Sequence, residues 1–265
     1  MFSFNERIFA LKKMELNLKN KLVVVIGGSN GIGLSIVKKF LNEGAIVHSI
    51  SRNGNKIDEK FLNDRYKNFI FFHKADAKIE YDLEKCKNNV TKNESKFIDI
   101  LISNVGNGRT PNNPINDNDI WTNSWNTNFD TGLNSSRVFY KSIKNGSILF
   151  IASIAGQEFL NAPTDYSVAK SALITFAKIL SNKLAPNIRV NVVSPGNIFI
   201  KNGTWDKIKK DSPNLVKDIL DNKVPLQRFG KPEEIADLVL FLSSEKASFI
   251  TGSCSVIDGG QTNFF

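Results

Sequence analysis

Short apolar runs alternate with longer amphipathic segments along most of the chain. The runs are rich in β-branched residues and have the length of strands that are buried on both faces of a parallel sheet. They lie at 21–26, 45–50, 69–74, 97–102, 148–152, 188–193 and 252–258. Strands that alternate with helices in this way need right-handed crossovers. The pattern therefore predicts an α/β fold, with one doubly wound parallel sheet of about seven strands and helices on both faces.

The first apolar run leads directly into a glycine-rich loop, GGSNGIG, at 27–33. An amphipathic helix follows the loop and ends at Gly44. This order of strand, loop and helix aims backbone N–H groups and a helix N-terminus at a phosphate. It predicts a Rossmann-type dinucleotide site, and the residues assigned to it are Gly27, Ser29, Asn30, Gly31, Ile32 and Gly33.

The end of the second strand bears on which dinucleotide binds. Ser51 and Arg52 stand where such folds place either a carboxylate for the adenosine 2'-hydroxyl or a cation for a 2'-phosphate. No acid is present there, so the sequence favours NADP(H) over NAD(H), with Ser29 and Asn30 as further donors to that phosphate. The alternative is that Arg52 is an ordinary surface residue.

Polar or tightly turning residues also follow three later strands. Because ligands bind at the carboxyl ends of parallel strands, we predict that these residues contact the cofactor as well. They are Asp76 at the adenine edge, Asn104 and Gly106 after the fourth strand, and Pro195, Gly196 and Ile198 after the sixth.

A tyrosine and a lysine four residues apart carry the candidate chemistry. Tyr166 and Lys170 lie on one face of a helix that is predicted to begin near Thr164. A lysine ammonium beside a phenol stabilises the phenolate, so the tyrosine can exchange a proton near neutral pH. Ser153, just after the strand at 148–152, can direct its hydroxyl at the same substrate oxygen. Considered alone, such a pair is more often an ordinary solvated one, and only the surrounding motifs favour catalysis.

Length and composition are those of a globular protein, with 265 residues, 41% apolar and 23% charged. We predict one catalytic domain at 18–265 after an N-terminal extension at 1–17, with a polar substrate flap at about 197–224. No apolar run is long enough to span a bilayer, and the N-terminus lacks a signal-peptide pattern. Cys86 and Cys254 have no metal-ligand or redox spacing, which predicts free thiols, a cytoplasmic location and no metal site.

The formal net charge of +9 raises the question of nucleic-acid binding. The lysines are spread along the chain and do not form a stripe with interleaved aromatic residues. The sequence therefore predicts a solvated surface with a mild attraction for anionic ligands, and neither a nucleic-acid nor a membrane partner.

Together, these motifs resemble those of the short-chain dehydrogenase/reductase superfamily, in its classical branch. The resemblance extends from about Leu18 to Gly260 and is greatest, in general likeness, to the 3-oxoacyl-acyl carrier protein (ACP) reductases. It rests on GGSNGIG, on SNVG, on the spacing of Ser153, Tyr166 and Lys170, and on SPG, PLQRFGKPEEIA and ITGSCSVIDGG.

The resemblance implies roles for four catalytic residues. Tyr166 would be the general acid in reduction and the base in oxidation. Lys170 would lower the pKa of that tyrosine and hold the nicotinamide ribose, and Ser153 would bind the substrate oxygen. Asn128 would position a water that connects Lys170 with solvent.

The resemblance also implies how the cofactor and the subunits are arranged. The glycines of the loop at 27–33 would lie against the pyrophosphate, and Asn104 would lie near the adenosine. The chain would form a homotetramer or homodimer through the helices at 119–142 and 164–184.

Three positions depart from the family pattern. Ile26 stands where the glycine motif normally begins with threonine, and Val105 replaces alanine. Ile200 stands where a threonine commonly binds the nicotinamide carboxamide. These changes predict an altered cofactor affinity and the same chemistry.

The predicted function is NADP(H)-dependent interconversion of a small-molecule carbonyl and a secondary alcohol. A dehydrogenase of a sugar or polyol derivative that uses NAD(H) is the alternative, because the flap is richer in polar groups than an acyl-binding lid requires. A non-catalytic NADP(H)-binding protein is a further alternative. Arg109 and Lys201 either meet an anionic group at the mouth of the site or are solvated loop cations.

Overall fold

Seven parallel strands form one sheet in the computed structural model, which describes residues 15–54, 66–94 and 97–263. The strands are β1 (Leu22–Ile26), β2 (Ile46–Ser51), β3 (Ile70–Lys74), β4 (Ile98–Ser103), β5 (Ile143–Ile151), β6 (Ile188–Pro195) and β7 (Cys254–Ile257). Their order is β3-β2-β1-β4-β5-β6-β7. The chain therefore winds outward from β1 to one edge and returns to β4 beside it, and the predicted doubly wound α/β sheet is confirmed.

Helices cover both faces of the sheet. They are α1 (Gly31–Asn42), α2 (Glu80–Glu94), α3 (Asn118–Trp125), α4 (Thr131–Phe139), α5 (Thr164–Leu184), α6 (Thr204–Asp211), α7 (Pro213–Asn222) and α8 (Pro232–Ser243). On one face, α1 and α8 bury residues such as Phe40 and Val239 against the sheet. On the other face, α2, α4 and α5 bury residues such as Phe139 and Leu173. β1 is buried along its whole length, which explains its unbroken apolar sequence.

Two predicted segments differ from the structure in detail. The single helix predicted at 119–142 consists of α3 and α4 joined by a π-helical turn, Asn126–Asp130. Such turns are rare in proteins, but many of those that occur lie at functional sites. The predicted flap at 197–224 is more regular than its sequence suggests, because it contains α6 and α7.

The beginning of the domain is only partly described. Leu18 is buried in the core beside α1, in keeping with a domain that begins there. Residues 1–14, which form most of the predicted extension, lie outside the described residues, so this boundary stays a prediction. Within the described ranges, every helix is too short or too polar to cross a membrane. Both cysteines are free thiols.

Candidate active site

A cleft of about 600 Å³ opens at the carboxyl ends of the strands, beside β1 and β4, where the strand order switches. Doubly wound sheets bind their ligands at this point. Most of the predicted cofactor residues line the cleft. They are Gly27, Ser29, Asn30, Gly31, Ile32, Ser51, Arg52, Asp76, Asn104, Gly106 and Tyr166.

The glycine loop is compact because it packs on its own backbone. A Cβ built on Gly33 would lie 2.0 Å from the Gly27 carbonyl oxygen, so no side chain fits there. The same carbonyl oxygen accepts a 3.1 Å hydrogen bond from Asn104 Nδ2, which fixes the loop to the end of β4. Asn30 precedes α1, and its Oδ1 accepts a 2.8 Å hydrogen bond from Gly31 N–H. The loop therefore presents backbone to the cleft, as a pyrophosphate site requires.

Two cations line the end of the cleft beside β2 and β3. Arg52 was predicted there, and Lys78 is the second. The Ser51 hydroxyl donates a 3.0 Å hydrogen bond to the Gly54 carbonyl oxygen and so braces the turn that carries Arg52. Asp76 Oδ1 accepts a 3.0 Å hydrogen bond from the backbone N–H of Lys78. This end of the cleft thus combines two cations with one carboxylate.

Tyr166 lines the cleft from the first turns of α5. Burial raises the pKa of its phenol, and a hydrogen bond with the Ser153 hydroxyl opposes that rise. Ser153 follows β5, and its Oγ also accepts a 3.2 Å hydrogen bond from Ala155 N–H. The Ser153 hydroxyl thus acts on the phenol of Tyr166, but burial has the larger effect on its pKa.

Lys170 lies one turn further along α5 and is only 2% exposed. Its Nζ donates hydrogen bonds to the carbonyl oxygens of Ile151 at 3.0 Å and Val105 at 3.4 Å. Burial lowers the pKa of Lys170 to about 8. We expected this lysine to lower the pKa of Tyr166, but in the protein by itself burial dominates and the tyrosine pKa is raised.

Asn128 lies in the π-helical turn and is 1% exposed. Its Oδ1 accepts a hydrogen bond from Asn107 N–H at 2.8 Å, and its Nδ2 donates to the carbonyl oxygens of Asn107 and Ser124, both at 3.0 Å. A Cβ built on Gly106 would lie 2.7 Å from Lys170 Nζ and 3.2 Å from Asn128 Oδ1. Only glycine therefore lets the loop after β4 pass between these side chains. The predicted water at Asn128 stays a prediction.

Five predicted cofactor residues do not line the cleft, within the described part of the chain. They are Gly33, Lys170, Pro195, Gly196 and Ile198. Pro195 ends β6, and the Gly196 N–H donates a 3.0 Å hydrogen bond to the Ile257 carbonyl oxygen. Ile198 is buried and lines a separate cavity of about 90 Å³. Pro195, Gly196 and Ile198 thus lie where β6 leads into the flap.

The flap contributes residues that the sequence analysis did not assign to the cofactor. Ile200 packs over the glycine loop, since a Cβ built on Gly31 would lie 2.8 Å from its Cδ1. Arg109 Nε donates a 3.0 Å hydrogen bond to Thr204 Oγ1 at the start of α6. These contacts join segments far apart in sequence, so no local spacing could have revealed them. Lys78 could have been found, because it stands two residues after Asp76.

A buried carboxylate beside the tyrosine was also missed. Asp165 is 1% exposed, and its Oδ1 accepts hydrogen bonds from Asn116 Nδ2 at 2.7 Å and Thr110 Oγ1 at 3.2 Å. Burial by itself would raise the pKa of Asp165, but hydrogen bonds from Ser124, Thr110 and Asn116 hold it below its ordinary value. Asp165 therefore ties the loop after β4 to the helix that carries Tyr166.

Known proteins match this chain over nearly its whole length. A family model described as enoyl-(acyl carrier protein) reductase matches residues 27–262. The 3-oxoacyl-[acyl-carrier-protein] reductase of Chlamydia trachomatis is 35% identical over 250 residues, which cover 92% of this chain and 98% of that protein.

Solved structures share the fold. L-Sorbose reductase from Gluconobacter frateurii, complexed with NADPH and L-sorbose, has a TM-score of 0.86 and 26% identity over 95% of this chain and 100% of its own. A 7α-hydroxysteroid dehydrogenase complexed with NADH and 7-oxo glycochenodeoxycholic acid has a TM-score of 0.83 and 25% identity over 94% of this chain and 96% of its own.

The matched region contains the glycine loop, the cleft and the helix of Tyr166. The similar proteins are oxidoreductases that act on CH–OH or C=O groups. The chain therefore belongs to the classical short-chain dehydrogenase/reductase superfamily, resembles its 3-oxoacyl-ACP reductases, and is an oxidoreductase that acts on CH–OH or C=O groups.

Proposed function

We propose that this protein is an NADP(H)-dependent reductase of a small-molecule ketone or, in the reverse direction, a dehydrogenase of the corresponding secondary alcohol. The observation that carries the proposal is the Tyr166 phenol, which lines the cleft, lies close enough to the Ser153 hydroxyl for that group to lower its pKa, and stands one helical turn from the buried Lys170. Two hydroxyl groups that meet at one place can hold a carbonyl oxygen and move a proton to or from it.

Different side chains of the protein have different roles at the substrate oxygen. Tyr166 donates its proton in reduction and accepts it in oxidation, while Ser153 holds the oxygen. Lys170, with a pKa of about 8, holds or releases a proton close to neutral pH and can replenish the phenol. Asn128 fixes Asn107, and so the loop that faces the tyrosine. A nicotinamide bound in the cleft supplies the hydride.

The residues that line the cleft fit a dinucleotide. The glycine loop supplies backbone N–H groups for a pyrophosphate without a side chain in the way. Lys170 would hold the nicotinamide ribose from the other end of the cleft. Ile200, which packs over Gly31, would cover the cofactor from the flap side once the loop and flap separate.

The adenosine end supports NADP(H) as the preferred cofactor. Arg52 and Lys78 both line it, and two cations suit a 2'-phosphate better than a 2'-hydroxyl. Family membership alone does not select the cofactor, because one similar structure contains NADPH and the other NADH. The proposal of NADP(H) therefore rests on Arg52 and Lys78.

A 3-oxoacyl thioester is the substrate class that the sequence relatives support, since the chlamydial reductase spans almost the whole chain. A sugar or other polyol derivative is the second candidate. The cleft favours it in one respect, because its substrate side is lined with polar residues. They are Asn107, Asn123, Thr127, Asn202 and Thr204. The similar fold of L-sorbose reductase supports the same class.

The decisive experiment compares wild type with Tyr166→Phe in reductions by NADPH and NADH of a 3-oxobutanoyl thioester and of L-sorbose. Loss of the proton donor should lower kcat at least about 100-fold and leave the dissociation constant of NADPH unchanged. Tyr81→Phe is the matched control, because Tyr81 is 68% exposed on α2 and should retain full activity. Retention of most activity in Tyr166→Phe would falsify the assignment.

A broader panel of substrates tests the non-catalytic alternative. A wild-type protein that binds NADPH but reduces no ketone and oxidises no alcohol in that panel would support a cofactor-binding role without turnover.

The proposed assembly is a homotetramer or homodimer. Two exposed apolar residues of α5 support it, since Val168 is 43% and Ile179 51% exposed on the same side of the helix. A surface that a second subunit covers typically carries exposed apolar residues.

A further inference from the structure

The loop after β4 forms the wall of the cleft beside the tyrosine. A Cβ built on Gly108 would lie 3.4 Å from Tyr166 Cε1 and Cζ, so this backbone lies directly against the phenol ring. Arg109 is the next residue and also lines the cleft. Its side chain therefore starts beside the group to which we assign proton transfer.

One nitrogen of the Arg109 guanidinium is hydrogen-bonded within the protein, and the other two are available to bind a ligand. Nε donates a 3.0 Å hydrogen bond to Thr204 Oγ1, whereas Nη1 and Nη2 have no hydrogen-bond partner among the described residues. Within residues 15–54, 66–94 and 97–263, no carboxylate forms an ion pair with Arg109. A guanidinium tethered in this way presents a planar pair of donors that matches a carboxylate or a phosphate.

The backbone that carries Arg109 is fixed on both sides. Asn128 holds Asn107 through its N–H and its carbonyl oxygen, at 2.8 and 3.0 Å. The buried Asp165 accepts a hydrogen bond from Thr110 Oγ1 at 3.2 Å. Arg109 lies between these two anchors, so buried groups set the position of its backbone, and the loop itself needs little ordering when a ligand binds.

The charges along the cleft are unequal at its two ends. Asp76 is the one acid among the described residues that line the cleft, and it follows β3 at the sheet edge together with Arg52 and Lys78. β2 and β1 separate that edge from β4, whose following loop carries Arg109. The positive charge beside Tyr166 is therefore not balanced by an acid on the cleft surface. Both Arg109 and Lys201 are exposed, but Lys201 does not line the cleft.

We propose that Arg109 is a specificity-determining residue that binds an anionic group, a carboxylate or a phosphate, on the ketone or alcohol substrate. This inference rests on the proposed function and narrows its substrate class. The proposal assigns anion binding to Arg109 and not to Lys201, because only Arg109 lines the cleft.

The test uses two matched pairs of ketones that differ in one anionic group: 3-oxobutanoate with its methyl ester, and D-fructose 6-phosphate with D-fructose. Steady-state reduction is measured with NADPH for wild type, Arg109→Gln, Arg109→Lys and the control Lys201→Gln. Arg109→Gln should lower kcat/KM for the preferred anionic ketone about tenfold or more and leave its neutral partner unchanged. Arg109→Lys should retain part of the preference, and Lys201→Gln all of it.

Binding gives a second readout that does not require turnover. Calorimetry with the NADPH complex of Tyr166→Phe should show tighter binding of the anionic member of a pair, and adding Arg109→Gln should abolish the difference. The inference is overturned if the complex binds both members of each pair equally, if Arg109→Gln weakens both members alike, or if it weakens NADPH binding instead. If wild type turned over none of these ketones while the NADPH complex still preferred the anionic member of a pair, the proposed function would fail and anion binding at Arg109 would stand.

Discussion

At the scale of single residues, Lys170 is a charged group held almost entirely out of water. It is 2% exposed, and burial lowers its pKa to about 8. Its Nζ donates to two backbone carbonyl oxygens, which hold the side chain in place while it can still lose its proton near neutral pH. Burial of a lysine lowers the free energy of unfolding whenever the lysine is charged.

The free energy of unfolding should therefore rise with pH between about 8 and 10.4 through Lys170. The folded pKa of about 8 lies below the unfolded value, so the unfolded chain binds more protons in this window and stability increases with pH. The slope is at most about 1.4 kcal/mol per pH unit. Urea unfolding of wild type and Lys170→Met across this window measures it.

Two features make that comparison specific. Lys183 is exposed on the same helix, so Lys183→Met should keep the wild-type dependence on pH. Burial raises the pKa of Cys86 to about 11, and this thiol is common to all the variants, so its effect cancels in the difference. A difference between wild type and Lys170→Met that does not change with pH would contradict the prediction.

Arg52 is the residue on which cofactor choice should depend most. Replacing it with serine removes a cation from the adenosine end of the cleft, where Lys78 also lies. We expect KM for NADPH to rise about tenfold or more, because a charge-assisted contact with the 2'-phosphate is lost. KM for NADH should stay nearly constant. Lys74→Ala is the control, since Lys74 is exposed on β3 and does not line the cleft; equal effects on both cofactors would refute the assignment.

At the scale of elements, the first turn of α5 organises the substrate side of the cleft. Asp165 precedes Tyr166 and accepts hydrogen bonds from Thr110 and Asn116, both in the loop after β4. The π-helical turn between α3 and α4 places Asn128 against the same loop. Two separate elements, α5 and the π-helical turn, therefore hold the loop that faces the tyrosine.

Asp165→Ala should weaken the attachment of the loop after β4 to α5. The variant leaves the donors of Thr110 and Asn116 without their acceptor, at a cost of about 1–3 kcal/mol in the free energy of unfolding. KM for the ketone should rise more than KM for NADPH, because the loop lies on the substrate side. Asp165→Asn retains an oxygen acceptor and should be milder. Both constants are measured alongside urea unfolding.

Asp211→Ala provides the control for that experiment, since Asp211 is exposed at the end of α6. If Asp165→Ala raised KM for NADPH as much as KM for the ketone, a specific effect on the substrate wall would be ruled out.

At the scale of the whole molecule, the sheet gathers groups from most of the chain at one edge. The glycine loop follows β1, the Arg52 turn follows β2, Asp76 follows β3, and Tyr166 belongs to the helix after β5. Because all strands are parallel, these connections emerge on the same side, where the strand order switches. One cleft can thus hold a dinucleotide along its length and a substrate at one end.

The face of α5 that carries Val168 and Ile179 should be covered in the assembled protein. Ile179→Asp places a charge in the proposed subunit contact, so we expect it to lower the assembly state seen in light scattering after size exclusion. Leu215→Asp is the control, because Leu215 is 51% exposed on α7, away from the proposed contact. A wild type that is monomeric at micromolar concentration would disprove the proposed assembly.

Much of the fold could be predicted because the apolar runs are local signals. The strands at 21–26 and 188–193 were placed within one or two residues of β1 and β6, since parallel strands buried on both faces have unbroken apolar sequences. The π-helical turn was not predicted, because a single helical periodicity continues through it. The position of Ile198 was also not predicted, since its distance from the cleft depends on how the flap begins.

By itself, the sequence determined the alternating strands and helices, the glycine loop, and the placement of Tyr166 and Lys170 one turn apart on one helix. Each depends on the spacing of nearby residues, which periodicity reveals. Only the tertiary structure decided that Lys170 is buried with a lowered pKa, that Asp165 holds the substrate loop, and that Arg109 lies in the cleft while Lys201 does not. Those properties depend on desolvation and on contacts between residues distant in the chain, and neither is encoded in a local pattern.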